Sequence, residues 1–339
     1  MTRYGIIGCG AWGCHYAVAI KKNPRLELVT IADASESTVA ELRKDFPDVA
    51  VSTNYQDVVS ANVDVIAVVT PNHLHHEIGM AVLQAGKHLL IEKPFALKIA
   101  ECEDMIRLAK EKNLRIVVGH QFRLSSLWRL IKKMIDDGFI GEPRYSLIEL
   151  SRNPYRHGAD GWRYDLQRVG DWIAEEPIHF LDLAVWYFEK YAKPVSLHAS
   201  ANSTDTSRPE LQDNVGATIE FSNGALAIVA QTLNMFEHHQ LVKVAGTKGS
   251  LWATWSGTMD RTLHPSFFLK AFDGTEVKEV PIEKITGELY ELEDQLDLMA
   301  DIIASKVPAH CTGEEGLRAV QLSAATLESA KTKQPINIL

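Results

Sequence analysis

The chain has 339 residues, of which 46% are hydrophobic and 23% charged, the composition of a globular protein with room for two domains. Its formal net charge of −9 argues against nucleic acid or an anionic membrane surface as the main partner. The apolar runs are too short to span a membrane, and the four cysteines, which show no metal-ligand spacing, indicate a reduced, cytoplasmic protein.

The first elements follow the pattern of a nucleotide-binding βαβ unit. An apolar strand at residues 4–7 meets Gly8, Gly10 and Gly13, which have the spacing G-x-G-x-x-G. The three glycines of such a motif allow a tight turn, approach of the backbone to a pyrophosphate, and close packing of helix on strand. The helix that follows, residues 12–22, offers the phosphates unpaired N–H groups and the positive end of its dipole. A glycine-rich turn in an unrelated α/β unit is the alternative.

An acidic residue follows the second predicted strand, residues 28–32. Asp33 stands about twenty residues after Gly13, where a carboxylate accepts hydrogen bonds from a ribose 2′-hydroxyl. The same charge repels the 2′-phosphate of NADP, and no cation follows until Arg43. The sequence therefore favours NAD as the cofactor.

Helices and apolar strands alternate as far as residue 119, which predicts a parallel sheet with right-handed crossovers. Further strands are predicted at 49–51, 63–69, 89–91 and 116–119, and helices at 37–44, 54–60, 73–84 and 100–111. Ligands gather beyond the carboxyl ends of parallel strands, so the residues there are expected along one sheet edge. They are Gly8, Asp33, Thr70, Glu92 and Gln121.

After a helix at 124–137 the pattern becomes that of a largely antiparallel sheet. Strands are predicted at 144–151, 195–201, 215–221, 225–233, 241–246 and 267–272, with a helical insert at 170–190 and closing helices at 288–305 and 313–331. We predict an α/β fold with two domains. Residues 1–123 form a Rossmann domain with a doubly wound parallel sheet. Residues 124–339 form an α+β domain for substrate binding and oligomerisation, with an open, mainly antiparallel sheet; its last helix and strand pack back near the Rossmann domain.

Lys93 is the first candidate for the chemistry. It stands between Glu92 and Pro94 at the tip of a strand that faces the cofactor edge. Pro94 disfavours helical conformation at Lys93 and restricts the direction in which the chain leaves the strand. A lysine there can bond a substrate hydroxyl beside the nicotinamide, with Glu92 to orient it. A solvated loop lysine is the alternative.

The segment 170–188 carries a second candidate group. On a continuous helix, Glu175, His179 and Asp182 share one face because they are spaced by four and three residues. A carboxylate one turn from a histidine suits proton transfer, since histidine titrates near neutral pH. A structural histidine in the core is the alternative. The spacing lacks a recognisable third ligand, so no metal is predicted.

Three further histidines, His73, His75 and His76, follow the strand that ends before Thr70. Their directions diverge around a helix, which argues against zinc. We assign His75 to positioning the cofactor.

These motifs together resemble the glucose–fructose oxidoreductase / inositol dehydrogenase (Gfo/Idh/MocA) family. They span the chain as GCGAWG (8–13), Asp33, TPNHLHH (70–76), EKPFAL (92–97), GHQFR (119–123), GWR (161–163) and HFLDL (179–183). The resemblance implies a Rossmann domain, an open-sheet domain that pairs with another subunit, and a lysine–carboxylate–histidine site oxidising a sugar or cyclitol hydroxyl with NAD(P). It makes His179 the proton acceptor. Glu175 departs from the family, whose motif has Asp at that position, and is assigned as the auxiliary carboxylate.

The predicted site residues fall into three groups. The catalytic residues are Lys93, His179 and Glu175. The cofactor-binding residues are Gly8, Gly10, Ala11, Trp12, Gly13, Asp33, Ala34, Thr70, Pro71, Asn72, His75, Glu92, Lys93, Gln121, Trp162 and Arg163. The substrate-binding residues are Lys93, Arg123, Arg152, Tyr155, His157, Trp162, Arg163, Tyr164, Glu175 and His179.

The predicted function is NAD-dependent hydride transfer to or from a sugar, glycoside or cyclitol carbon, in a homodimer or homotetramer formed through the C-terminal sheet. Arginines near the predicted entrance match the oxygens of an anionic sugar, with salt bridges to Glu149, Asp160, Asp165 or Asp171 as the alternative. They are Arg123, Arg152, Arg156, Arg163 and Arg168. The second function considered is a glycoside hydrolase that uses NAD catalytically through oxidation, elimination, hydration and reduction. The third is a non-catalytic NAD-binding sensor.

Overall fold

The computed structural model describes residues 1–338. Its helices are α1 (Ala11–Lys22), α2 (Glu36–Asp45), α3 (Tyr55–Ser60), α4 (His75–Gln84), α5 (Ile99–Glu111), α6 (Trp128–Asp136), α7 (Leu166–Val169), α8 (Pro177–Phe188), α9 (Glu288–Ile303) and α10 (Gly313–Thr332). Its strands are β1 (Thr2–Ile7), β2 (Leu26–Ala32), β3 (Ala50–Ser52), β4 (Val65–Val68), β5 (His88–Ile91), β6 (Ile116–Val118), β7 (Pro143–Arg152), β8 (Pro194–Asn202), β9 (Asn214–Phe221), β10 (Leu226–Thr232), β11 (His238–Gly246), β12 (Ser250–Gly257), β13 (Ser266–Phe272), β14 (Val277–Glu279) and β15 (Ile336–Asn337).

The chain folds into two compact units, each assembled from three segments. The first unit comprises Met1–Gln121, Ala159–Gly170 and Glu291–Val320. The second comprises Phe122–Gly158, Asp171–Tyr290 and the chain from Gln321 onward. The sequence suggested two consecutive ranges, 1–123 and 124–339, because local patterns do not reveal where a later segment returns to an earlier sheet.

The first unit is built on a six-stranded sheet in the order β3-β2-β1-β4-β5-β6, in which every pair of neighbours is parallel. Every residue of β4 is buried, as expected for a strand covered on both faces. The strand order reverses at the β1–β4 boundary, which is where ligands bind in doubly wound sheets. The predicted Rossmann sheet is confirmed.

Helix α9 adds to the core of this unit. Leu292, Leu296 and Met299 are buried in the same cluster as Tyr4 and Ile6 of β1. The Tyr4 hydroxyl donates to the Leu296 carbonyl over 2.8 Å. The apolar side of α9 therefore covers one face of the parallel sheet.

The second unit holds a nine-stranded sheet in the order β14-β13-β12-β11-β7-β10-β9-β8-β15. Only β7 and β10 pair in parallel among its described strands, so the predicted open, mainly antiparallel sheet is confirmed. Helix α8 packs against the inner face of this sheet, and its buried residues share one core with β7 and β10.

Two strands of the second sheet add to what the sequence predicted. Strand β12 was not predicted, although its Leu251, Ala253 and Trp255 alternate into the core, because its alanine, its two serines and its glycine weaken the strand signal. The last strand was expected near the Rossmann domain. The structure pairs it with β8 through Ile336 and Leu197, which adds it to the second sheet.

The predicted helix over 170–190 is interrupted before its midpoint. Gly170 adopts a φ of 85°, and α8 begins only at Pro177. Proline favours the first position of a helix and moves the residue before it away from helical conformation. Glu175 therefore lies in the turn before α8, and the helical face that it was expected to share with His179 does not include it.

None of the helices within residues 1–338 combines the length and the hydropathy needed to cross a membrane.

Candidate active site

The glycine turn after β1 has the shape that a pyrophosphate requires. Gly8 has a φ of +91°, and a Cβ there would lie 2.4 Å from the Val69 carbonyl oxygen. A Cβ on Gly13 would lie 2.1 Å from the Gly8 carbonyl oxygen, so the helix can approach the strand only at glycine. A Cβ on Gly10 would have no heavy atom within 4 Å. Two glycines close the turn and the third leaves its backbone accessible at the start of α1.

Asp33 lies beside this turn at the end of β2. One carboxylate oxygen accepts the backbone N–H of Cys9 over 2.8 Å, and the other accepts that of Ser35 over 3.0 Å. Each oxygen keeps a further lone pair, so the carboxylate remains able to accept ribose hydroxyls. Ala34 next to it is exposed. This arrangement fits the ribose and pyrophosphate of a dinucleotide.

The buried carboxylate of Glu92 links the glycine helix to the strand that carries Lys93. One oxygen accepts the Trp12 indole N–H over 2.7 Å and the Tyr16 hydroxyl over 2.5 Å. The other accepts the backbone N–H of Lys93 over 3.2 Å. Burial and the Glu92 charge raise the pKa of Tyr16 well above its usual value, which keeps it a neutral donor.

Tyr16 was absent from the sequence prediction. It stands one helical turn after Trp12, on the same face of α1. This spacing was the available signal, but nothing local to α1 indicates that Glu92 is the partner.

His75 connects two loops at the same edge of the sheet. Its ring nitrogens lie 2.7 Å from the Pro94 carbonyl oxygen and 3.0 Å from that of Thr70. The side chain is fully buried, and its assignment to positioning the cofactor stays a prediction. It positions the loops after β4 and β5, and its bond to Pro94 holds the chain immediately after Lys93.

Residues 159–170 belong to the first unit, although they follow β7 in the chain. The Asn72 side-chain amide, after β4, donates to the Val169 carbonyl over 3.0 Å. Within this segment Trp162 is buried, and the Arg163 guanidinium lies 4.7 Å from its ring centroid. The first unit contains all the residues assigned to the cofactor from the sequence, including Thr70, Pro71 and Gln121.

In the second unit, His179 lies in the first turn of α8. It is buried, and its ring centroid is 4.8 Å from that of Phe122. Glu175, in the preceding turn, is buried too. Burial raises the pKa of the neighbouring Asp171, with a smaller contribution from the charge of Glu175.

Arg123, which the sequence assigned to substrate binding, forms a buried ion pair. Its Nε and Nη2 donate to the two oxygens of Asp182, each over 2.7 Å. Both side chains are 1% exposed. The fork geometry is that of a bidentate guanidinium–carboxylate pair, so Arg123 and Asp182 link the chain before α6 to α8.

Arg152 is likewise bound by carboxylates of the second unit. Its Nη1 donates to Glu176 over 2.8 Å, and its Nη2 lies 3.4 Å from Asp260, which also accepts from Arg156 over 2.8 Å. Burial would raise the pKa of Asp260, but the neighbouring guanidinium groups, Arg152 foremost, lower it to about 2. The charge of Arg152 is compensated inside the unit, so this residue does not support an anionic substrate. The partners suggested by the sequence did not include Asp260.

The remaining predicted substrate residues differ in exposure. Tyr155 is buried, with its hydroxyl 3.3 Å from the Gln231 side-chain oxygen and its ring edge-on to Trp172. It therefore has little surface for stacking on a sugar. His157 is exposed and Tyr164 is half-buried.

Several known proteins are similar to this chain in sequence or in fold. Myo-inositol 2-dehydrogenase of Thermotoga maritima is 23% identical over 99% of this chain and 98% of its own length. The 2,7-anhydro-N-acetylneuraminate hydratase of Escherichia coli is 26% identical over 74% of this chain and 67% of its own length. The crystal structure of an aldose–aldose oxidoreductase from Caulobacter crescentus has the same fold, with a TM-score of 0.84, 20% identity and 99% of each chain covered.

Family models match most of the chain. Residues 2–120 match the oxidoreductase family with an NAD-binding Rossmann fold, and residues 128–252 match the GFO/IDH/MocA C-terminal domain. The resemblance drawn from the motifs is confirmed. The chain belongs to the GFO/IDH/MocA family of oxidoreductases, and its first unit is an NAD-binding Rossmann fold.

Proposed function

We propose that this protein transfers a hydride between NAD and a hydroxyl-bearing carbon of a sugar, glycoside or cyclitol. The position of Lys93 carries the proposal. Lys93 is half-buried at the carboxyl end of β5. Its backbone N–H donates to the carboxylate of Glu92, which also accepts the indole N–H of Trp12 in the glycine motif. The names of two similar proteins, a myo-inositol dehydrogenase and an aldose–aldose oxidoreductase, support a polyhydroxylated substrate.

In the proposed reaction, Lys93 and His179 both act on the reacting hydroxyl. The His179 imidazole accepts the hydroxyl proton, a contribution of about 10²- to 10⁴-fold for a general base. The Lys93 ammonium stabilises the negative charge that develops on the oxygen, which is largest in the transition state. Glu175 is the auxiliary carboxylate. Bound NAD supplies the hydride acceptor, and the glycine turn, the first N–H groups of α1 and Asp33 would hold it.

The choice of NAD over NADP is assigned to Asp33. Asp33→Asn removes the charge that opposes a 2′-phosphate, so the ratio of kcat/KM for NAD to that for NADP is expected to fall by about tenfold or more. The ratio is informative even if the substitution shifts the loop after β2, because damage to the glycine turn would lower kcat/KM for both cofactors. Steady-state kinetics with each cofactor measure it.

The matched control is Glu36→Gln, an equal change of charge at the exposed start of α2. It should leave the cofactor ratio near that of the wild type. An unchanged ratio in Asp33→Asn would mean that this carboxylate does not select the cofactor.

A second candidate is a redox-neutral hydrolase or hydratase that oxidises the sugar, eliminates a substituent, adds water and returns the hydride. The similar hydratase of E. coli supports it. Glu176, an additional carboxylate beside Glu175 in the sequence, is bound to Arg152. Stoichiometry distinguishes the two reactions: the dehydrogenase accumulates NADH with substrate, whereas the hydrolase releases the aglycone with catalytic NAD and no net NADH.

We also propose that the outer face of the nine-stranded sheet pairs with a second copy of the chain. Trp252, Tyr145, Leu226 and Phe272 on this face are 36–41% exposed, an unusual set of large apolar groups for a free surface. Trp252→Glu is expected to halve the particle mass in light scattering coupled to gel filtration. A comparable substitution at an exposed valine of α1, Val18→Glu, should leave the mass unchanged. A monomeric wild type would refute the proposal.

A further inference from the structure

Two cysteines flank the glycine turn, and the hydride chemistry uses neither. Cys9 lies between Gly8 and Gly10, and Cys14 follows Gly13 on α1. Their sulfur atoms are 3.6 Å apart, and the Cys14 thiol also lies 3.2 Å from the Cys9 carbonyl oxygen. Both are free thiols. A disulfide has an S–S distance of about 2.05 Å, so the two sulfur atoms need to approach by only about 1.5 Å.

The two thiols are unequal, as expected for an attacking and a resolving cysteine. Cys14 is half-buried in the first turns of α1, where the helix dipole favours a thiolate. A hydrogen bond from Cys9 lowers the pKa of Cys14, against a smaller opposite effect of burial. Cys9 is 1% exposed, and its hydrogen bond to Cys14 and its burial raise its own pKa. Cys14 is therefore the attacking nucleophile, and Cys9 remains a thiol until it attacks the oxidised Cys14 sulfur.

We propose that Cys9 and Cys14 form a reversible disulfide on reaction with hydrogen peroxide or an organic hydroperoxide, and that this disulfide weakens dinucleotide binding. The Cys14 thiolate attacks a peroxide oxygen and the O–O bond breaks, which leaves a sulfenic acid and releases hydroxide or an alkoxide, which takes a proton from solvent to become water or an alcohol. The Cys9 sulfur then attacks the Cys14 sulfur. The S–S bond forms, the S–O bond breaks, and hydroxide leaves with the Cys9 proton as water. A thiol reductant reverses the oxidation.

The turn has little freedom to accommodate this bond. A Cβ added to Gly13 would lie 2.1 Å from the Gly8 carbonyl oxygen, so the strand and the helix are already in close contact. The Cys9 backbone N–H donates to Asp33 over 2.8 Å, so a shift of Cys9 disturbs the ribose-binding carboxylate as well. Drawing the sulfur atoms together displaces the N–H groups between them. This coupling rests on the proposed placement of the dinucleotide at the turn.

The experiment uses the full chain and two readouts that do not depend on turnover. The protein is titrated with hydrogen peroxide. Peptide mass spectrometry then follows the loss of two hydrogen atoms from the peptide that contains both Cys9 and Cys14. NADH affinity is measured by fluorescence before oxidation, after it, and after dithiothreitol. We expect the Cys9–Cys14 disulfide, NADH affinity weakened by about tenfold or more, and recovery on reduction.

Two variants separate this site from general oxidation. Cys14→Ser keeps a donor toward the Cys9 carbonyl oxygen and should bind NADH like the wild type but lose the response to peroxide. Cys102→Ala, at a buried cysteine of α5, retains the pair and should retain the response.

Three outcomes overturn the proposal: no Cys9–Cys14 disulfide, a disulfide that leaves NADH affinity unchanged, or the same loss of affinity in Cys14→Ser. The proposed hydride transfer can fail separately, because neither readout requires a substrate.

Discussion

Lys93→Ala is expected to lower kcat by about 10²- to 10³-fold, the usual cost of removing one donor that stabilises a developing oxyanion. The affinity for NADH should change little, because the glycine turn, Asp33 and the start of α1 are unaltered. Both quantities are measurable on one preparation, by single-turnover kinetics with a saturating sugar or cyclitol and by fluorescence titration with NADH. A large loss of turnover with intact cofactor binding assigns Lys93 to the chemical step.

Lys98→Ala provides the matched control. Lys98 lies on the same connection after β5, but its side chain is 77% exposed and pairs with Glu101 at 2.8 Å. It should retain wild-type turnover. If Lys93→Ala also retained a kcat near that of the wild type, the lysine would have no part in the mechanism, and the sensor function would become the better explanation of an intact dinucleotide site.

Asp182→Ala is expected to lower the free energy of unfolding by about 3–5 kcal/mol, because it leaves the buried Arg123 guanidinium without its carboxylate. Both side chains are 1% exposed, so water cannot replace the lost partner. Removing both charges in Arg123→Met/Asp182→Leu should recover much of this loss, since apolar groups of similar volume need no partner. Urea titrations of the variants measure the difference.

The exposed pair Lys98–Glu101 serves as the comparison. Glu101→Ala should cost at most about 1 kcal/mol, because solvent screens an exposed pair. A loss of that small size in Asp182→Ala would contradict the structural role given to Arg123. Arg123 would then again be a candidate for binding an anionic group of the substrate.

The buried ion pairs change the expected character of the substrate. From the sequence, the arginines between residues 123 and 168 suggested a site for an anionic sugar. In the second unit, Asp182 binds Arg123, and Glu176 and Asp260 bind Arg152. These charges serve the fold, so neutral sugars and cyclitols are the first compounds to assay.

The sequence by itself determined the features that lie within one short stretch of chain. The glycine turn, Asp33 and the alternation of helices and buried strands follow from spacing, turn chemistry and side-chain periodicity, which act over a few residues. Even the displacement of Glu175 from α8 has a local cause, the proline at residue 177, although the sequence interpretation did not use it.

The tertiary structure decided which distant residues meet. Tyr16 and Glu92 are 76 positions apart, and Arg152 and Asp260 are 108 apart, so no local pattern relates them. The same holds for residues 159–170 and 291–320, which belong to the compact unit formed by the first part of the chain. A buried charge must be paired, but the choice of partner depends on how the chain returns through the core. The course of the backbone around Lys93 could therefore be predicted from the sequence. The carboxylates that pair with Arg123 and Arg152 could be identified only in the folded molecule.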